Sequence, residues 1–184
     1  AVQSGGVGHV LFTPYFSTVN GNVTLISLVN TDTTNGKAVK VRFRGAAHSD
    51  DILDFTVLMS PGDVWTASIE PSLTGVSRIL SPDSTCVLPR QLGTDGVDFR
   101  TSRLDQKLSA DAQALHTREG YVEYLNMADI KPGTDLFKAI KHKDGVAPCT
   151  SSELSKLMNT DVVAYSDAAD HGLERPTGGL FGNW

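Results

Sequence analysis

The alternation of apolar and polar residues is clearest just after residue 36. Three apolar side chains alternate there with three basic ones, over Val39, Lys40, Val41, Arg42, Phe43 and Arg44. A period of two is typical of a β-strand with one buried and one solvated face. The pattern therefore predicts a strand whose apolar face enters a core and whose outer face carries a basic stripe, Lys40, Arg42 and Arg44.

Other segments of strand length recur along the chain, separated by turn residues. Apolar runs at 10–16, 23–30, 52–59, 64–69, 76–80 and 120–127 predict six further strands. Pro14 cannot donate to a ladder, so the first of these is predicted at a sheet edge or at a bulge. Asn20-Gly21 is a hairpin-type turn signal, and Ser60-Pro61-Gly62-Asp63 suits a type II turn, which predicts a hairpin there.

The pattern changes after residue 88. Residues 88–119 are polar and irregular, with one helix predicted at 109–116, and further short helices are predicted at 135–142 and 151–158. Thr150 and Glu153 have the spacing of a capping box. Many short strands spaced by turns predict a mostly β fold, an immunoglobulin-like antiparallel β-sandwich with a few short helices in the second half. We expect one domain over 1–184, with core strands at about 8–87 and 120–128 and helical or loop decoration at about 88–119 and 130–184.

Composition narrows the classes of partner. The chain has 184 residues, of which 40% are hydrophobic and 20% are charged, as in ordinary globular proteins. Its formal net charge of −5 argues against nucleic acid as a partner, because protein surfaces that bind nucleic acid are basic. No apolar run approaches the roughly 18 residues of a membrane span, so no transmembrane segment is predicted.

Two cysteines, Cys86 and Cys149, lie in loop-like contexts and lack the Cys-x-x-Cys spacing of metal or redox sites. An even pair outside such a motif predicts one disulfide bond. Because disulfides persist in oxidising compartments, the pair also predicts an exported protein.

Several segments resemble a family of secreted cell-surface proteins of Gram-negative bacteria with an immunoglobulin-like β-sandwich N-terminal region. The residues that carry the resemblance are 24–31, 37–44, 53–55, 58–66, 117–123 and 176–182. The resemblance implies a secreted, extracellular location on the bacterial surface and a role in a surface layer, filament or envelope coat. It brings no catalytic residues.

No motif for catalysis stands out. The chain has no Gly-x-Ser-x-Gly elbow, no His-Glu-x-x-His and no phosphate-binding loop. The five histidines, His9, His48, His116, His142 and His171, are scattered, and none forms an i, i+4 pair. We therefore expect no catalytic residues and no enzyme activity.

Acidic residues between two predicted strands provide the best candidate metal site. Asp50, Asp51 and Asp54, next to His48, offer the hard oxygen ligands that calcium prefers. A second acidic cluster comprises Asp161, Asp167, Asp170, His171 and Glu174. Two interpretations stay open for each cluster, a solvated polar loop or a calcium site.

Two further surfaces are candidates for binding. The basic stripe Lys40, Arg42 and Arg44 could bind an acidic envelope glycan, or it could pair with carboxylates on a neighbouring strand. Large aromatic residues are concentrated near the chain ends, at Phe12, Tyr15, Phe16, Phe181 and Trp184. Such segments either fold back on their own sandwich or dock on a neighbouring copy as an added strand.

These observations predict a non-catalytic extracellular structural protein of the bacterial surface that self-assembles into a layer or filament. The alternative is a ligand- or glycan-binding surface or adhesion module. We expect no cofactor for the structural role, and calcium is the candidate cofactor for the alternative. The main expected partner is the chain itself, as a homo-oligomer or polymer, and envelope glycan is the second.

Overall fold

Two antiparallel β-sheets packed face to face make up most of the protein. The computed structural model describes residues 6–89, 91–159 and 165–184. Within these ranges the strands are β1 (Val10–Ser17), β2 (Thr24–Asn30), β3 (Gly36–Gly45), β4 (Asp51–Met59), β5 (Val64–Pro71), β6 (Ser77–Ser81), β7 (Cys86–Leu88), β8 (Gly93–Asp98), β9 (Glu119–Ile130), β10 (Leu173–Glu174) and β11 (Leu180–Asn183). The α-helices are α1 (Ala110–Leu115), α2 (Asp135–Ile140), α3 (Ser151–Met158) and α4 (Tyr165–Asp170). The mostly β sandwich with short helices in the second half is confirmed.

The chain crosses several times between the two sheets. The first sheet has the order β1-β9-β3-β4-β7, with β10 also paired to β9, and the second has the order β11-β2-β5-β6-β8. Strands β8 and β11, which lie in regions expected to be decoration, are edge strands of the second sheet. The sequence pattern did not predict these two strands. For example, β8 reads Gly-Thr-Asp-Gly-Val-Asp, which is rich in glycine and shows little alternation of apolar and polar residues.

The inner faces of the two sheets form the main core. Val39, Val41 and Phe43 of β3 are fully buried, which confirms the facing predicted from their alternation. Phe43 lies 4.9 Å from Phe99 between ring centroids, and Trp65 of the opposite sheet is also fully buried. The period of two in the sequence therefore predicts correctly which face of this strand is buried.

A second apolar cluster lies on the outer face of the first sheet. Ala38 and Leu58 point outward from β3 and β4 and pack with the buried faces of α2 and α3, namely Leu136, Phe137, Ile140 and Leu154. The Cys86–Cys149 disulfide joins β7 to the segment between these two helices, which confirms the predicted bond. The helices thus form a third layer that is covalently attached to the sandwich.

The hairpin predicted at residues 60–63 is wrong, although its turn residues are as expected. Gly62 has a φ of 69° and Asp63 N–H donates to Ser60 C=O at 3.2 Å, as a type II turn requires. However, β4 pairs in the first sheet and β5 in the second, so the turn crosses between sheets. The segment around Asn20 is likewise a short 3₁₀ turn between β1 and β2, which lie in different sheets.

The helices begin close to where the sequence places them. The side chains of Ser109 and Thr134 accept hydrogen bonds from the first turns of α1 and α2, as N-caps do. Helix α3 has the predicted bounds, but Thr150 makes no side-chain capping bond, so the capping-box prediction is wrong. Among the described residues, no helix has the length and apolar character needed to cross a membrane.

Removing the disulfide is expected to destabilise the protein by about 4 kcal/mol, because the bond closes a loop between residues 63 positions apart. The test is urea unfolding of a Cys86→Ala/Cys149→Ala variant beside the oxidised wild type. The unreduced wild type should also show no alkylatable thiol by intact mass. A loss below about 1 kcal/mol would contradict the expected role of the bond.

Candidate interaction surface

The basic stripe and the acidic loop, predicted as separate sites, lie together on the outer face of the first sheet. Lys40 binds Asp54 on the neighbouring strand β4. Arg44 Nε lies 3.2 Å from Glu123 Oε2 on β9, and Arg42 Nη1 lies 4.0 Å from the same carboxylate oxygen. The stripe therefore runs between two strands that carry its counter-charges.

Arg103 completes this network from a loop after β8. Its Nη1 lies 2.8 Å from Asp51 Oδ2 and 3.1 Å from Asp54 Oδ1. Burial raises the pKa of Asp54, but hydrogen bonds from Lys40 and Arg103 outweigh it and hold that pKa below its usual value. Because the carboxylates neutralise most of the cations, little positive charge is left for an acidic glycan.

The calcium site predicted at Asp50, Asp51 and Asp54 is not supported by this geometry. Oxygens of Asp51 and Asp54 already bind Arg103, and Asp50 lies outside the network, 3.9 Å from His48. Over the described ranges, no three His, Cys, Asp or Glu side chains converge as metal ligands would. In the second acidic cluster Glu174 binds Lys131 at 3.1 Å, and Asp161 lies outside the described residues.

The aromatic residues predicted for assembly do not share one surface. Phe16 is fully buried and packs edge-on against Phe43 and Phe99, so its assignment to an assembly surface is wrong. A register shift between Thr13 and Phe16, at the proline-containing bulge, turns Phe16 inward. Phe12 is exposed on the outer face of the first sheet, opposite Glu123.

Phe181 lies on the second sheet. It pairs with Val29 of β2, which in turn pairs with Val64 of β5, so three apolar residues form a row across adjacent strands. Phe181 is 38% exposed, less than Phe12, Tyr15 or Trp184. The row extends the apolar character of this face towards the edge strand β11.

The remaining aromatic residues, Tyr15 and Trp184, line one shallow depression. Together with Val23 and Leu25 they form an exposed apolar patch, which we call the seam patch (Tyr15, Val23, Leu25 and Trp184). Leu25 is 67% exposed and Trp184 is 60% exposed. Trp184 stands between two shallow depressions of about 380 and 330 Å³, both of which Leu25 also lines.

Two sets of hydrogen bonds join neighbouring segments beside the seam patch. At one end Gly8 and Leu180 exchange two backbone hydrogen bonds, of 2.8 and 2.9 Å, which tie the start of β1 to β11. At the other end Ser17 N–H donates to the Thr24 hydroxyl at 3.0 Å. Beside these ties the four side chains of the seam patch are exposed. Contiguous exposed apolar side chains of this kind mark interaction surfaces.

A separate apolar cleft of about 460 Å³ lies between the outer face of the first sheet and helices α3 and α4. Its lining includes Ala38, Leu88, Met127, Leu157, Met158 and Leu173, with Lys40 and Asp54 at the rim. Its size suits an apolar group, but Lys40 and Asp54 bind each other and so leave no charge to orient a ligand.

His142, in the segment after α2, forms the densest cluster of hydroxyl and titratable groups. Its Nδ1 lies 2.8 Å from Ser60 Oγ and 3.7 Å from Asp63 Oδ2, and its Nε2 lies 3.3 Å from Ser84 Oγ. Burial raises the pKa of Asp63, although His142 acts to lower it. The Ser84 hydroxyl also lies 3.1 Å from Gly145 C=O, to which it can donate. The cluster ties the helical layer to two sandwich loops, and the 3.7 Å between Asp63 and Nδ1 exceeds the hydrogen bond by which a carboxylate orients a catalytic histidine.

A fully buried ion pair was not predicted from the sequence. Lys37 Nζ lies 3.0 Å from Asp129 Oδ1, and the two residues are directly opposite each other on β3 and β9. Burial raises the pKa of Asp129, but hydrogen bonds from Thr177, Asn126 and Lys37 outweigh it and lower that pKa overall. The cluster joins the segment before β11 to the first sheet. Position 37 lies on the same face of a regular strand as positions 39, 41 and 43, because side chains two residues apart point the same way. This spacing could have placed the lysine on the buried face.

Comparison of the chain with protein-family models, with curated proteins and with solved structures found no match.

Proposed function

We propose that this protein is a non-catalytic structural module of the bacterial outer surface, secreted from the cell, that associates with copies of itself through the seam patch. The observation that carries the proposal is the clustering of four exposed apolar side chains, Tyr15, Val23, Leu25 and Trp184, around one shallow depression. Exposed aromatic residues are typical centres of protein interfaces, because they bury much area with few torsions to restrict.

The disulfide and the resemblance to secreted surface proteins support the location. A disulfide that joins the helical layer to the sandwich persists only where thiols are not kept reduced. Extension into a layer or filament requires an interface that does not close on itself. A glycan-binding role receives less support, because the basic stripe is paired with carboxylates.

Point substitution tests this proposal better than deletion of a terminal strand. β1 contributes Phe16 and β11 contributes Leu180 to the core, both fully buried, so either deletion would damage the fold itself. Leu25 and Trp184 can instead be changed to threonine, which suits an exposed strand position.

The Leu25→Thr/Trp184→Thr variant is expected to lose self-association while its thermal midpoint stays close to that of the wild type. Light scattering at increasing concentration and negative-stain microscopy measure the loss. The matched control is Leu73→Ser/Leu115→Ser, which removes two exposed leucines outside the seam patch and should assemble as the wild type does. A wild-type chain that stays monomeric at high concentration would refute the proposal.

A further inference from the structure

The apolar cleft between the first sheet and helices α3 and α4 owes part of its wall to an irregularity in β9. Ala38 of β3 lies opposite Ala128, whereas Val39 lies opposite Asn126, so Met127 is an extra residue at a β-bulge. Successive residues of a regular strand point to opposite faces, yet Met127 and Ala128 both line the cleft. The bulge therefore keeps the Met127 side chain on the outer face of the sheet, at the cleft.

A second methionine lines the cleft from its helical wall. Met158 lies at the end of α3. Met127 is 47% exposed and Met158 is 46% exposed, whereas other apolar side chains of the lining are buried, namely Ala38, Leu88, Ala128 and Leu173. Methionine side chains are flexible and adapt to the shape of a ligand. A buried apolar floor with two adaptable side chains at its opening is typical of a small-molecule site.

The polar rim restricts the ligand to one without a net charge. Lys40 binds Asp54, and Arg103 Nη1 lies 3.1 Å from the same carboxylate, so the charges at the rim already have counter-charges. A charged ligand would have to separate these groups or carry an unpaired charge against an apolar floor, and both cost free energy. A hydroxyl group can instead hydrogen-bond to the Thr56 hydroxyl, which lies opposite Lys40 on β4 and also lines the cleft.

We propose that this cleft binds a single alkyl chain that ends in an uncharged, hydroxyl-bearing group. Its volume of about 460 Å³ holds roughly fifteen groups of about 30 Å³ each, the volume of a water molecule in the liquid, which is enough for one chain of medium length. The chain lies on the apolar floor beside Met127 and Met158, and the hydroxyl-bearing end lies at Thr56. The inference does not depend on the proposed self-association, because the cleft lining and the seam patch have no described residue in common.

The three methionines of the chain report on binding directly. Met127 and Met158 line the cleft, whereas Met59 is fully buried in the main core and serves as an internal reference. NMR titration of methyl-labelled methionine with decanol is expected to shift the signals of Met127 and Met158 with a Kd on the order of 10–100 µM, and to leave that of Met59 unchanged. Decanoate, which has a chain of the same length and a negative charge, is expected to bind at least about tenfold more weakly.

A pair of variants locates the binding. Met127→Gln/Met158→Gln keeps side chains of similar length but makes the opening of the cleft polar, and should weaken decanol binding by about tenfold in calorimetry. The matched control is Leu25→Thr/Trp184→Thr, which removes apolar side chains from the seam patch and should bind decanol as the wild type does. The proposal is overturned if decanol shifts neither Met127 nor Met158, if decanoate binds as tightly as decanol, or if the control loses as much affinity as the methionine variant. None of these results depends on whether the wild type self-associates.

Discussion

Replacing Val41 by aspartate is expected to unfold the protein or reduce its stability by several kcal/mol. Val41 is fully buried in the centre of β3, between Phe55 on β4 and Tyr124 on β9. A carboxylate there would lose its hydration without gaining a partner, a cost on the order of 4 kcal/mol or more. Circular dichroism during thermal and urea unfolding measures the effect.

Two further variants keep this experiment informative if Val41→Asp does not fold. Val41→Ala removes only apolar contacts and should cost about 2 kcal/mol. Arg42→Gln, at the next position on the outer face, should cost under about 0.5 kcal/mol, because its contacts with Asp51 and Glu123 are both 4.0 Å long. Equal unfolding midpoints for Val41→Ala and Arg42→Gln would show that the facing of β3 is wrong.

Replacing Lys37 by methionine is expected to cost about 3–5 kcal/mol, because the change leaves the buried carboxylate of Asp129 without its cation. Methionine matches the length of the lysine stem, so the cost reports the lost charge more than a cavity. Equilibrium urea unfolding provides the measurement. The matched control is Lys40→Met on the same strand, where the Lys40–Asp54 pair is partly exposed and should contribute less than about 1 kcal/mol.

A double variant and a pH series separate the ion pair from simple packing. Lys37→Met/Asp129→Asn removes both charges and should recover part of the loss, which gives a coupling energy. The folded pKa of Asp129 is lowered, so its contribution is complete above the unfolded pKa of about 3.9 and disappears as pH falls through the folded value. Wild-type stability should therefore fall over this acidic range more steeply than that of Asp129→Asn. A Lys37→Met cost no larger than that of Lys40→Met would refute the role of the buried pair.

Alternation of apolar and polar residues was sufficient to predict the buried face of a strand wherever successive side chains point regularly to opposite faces of the sheet. Over residues 39–44 of β3 the apolar and basic residues separate cleanly, because the apolar face meets the opposite sheet and the basic face is partly exposed. The same reasoning fails on β1, where a bulge between Thr13 and Phe16 breaks the period of two. Phe12 and Phe16 would share a face in a regular strand, but Phe12 is exposed and Phe16 is in the core.

Sheet membership could not be predicted from the turns. Ser60-Pro61-Gly62-Asp63 adopts the conformation that its residues favour, yet β4 and β5 belong to different sheets. A tight turn reverses the chain whether its strands pair with each other or with strands far away in sequence. The choice depends on which faces can be buried together, and that is a property of the whole sandwich.

For the candidate surfaces too, the sequence and the tertiary structure each determined a different part. The sequence determined the residue types by itself: the basic stripe, the acidic loop, the cysteine pair and the aromatic residues near the chain ends. Only the tertiary structure decided that Asp54, Glu123 and Arg103 neutralise the stripe, that Asp129 pairs with Lys37 from 92 positions away, and that Trp184 meets Leu25. Periodicity reports the environment of each residue along its own strand, whereas charge pairing and patch formation depend on which distant strands become neighbours.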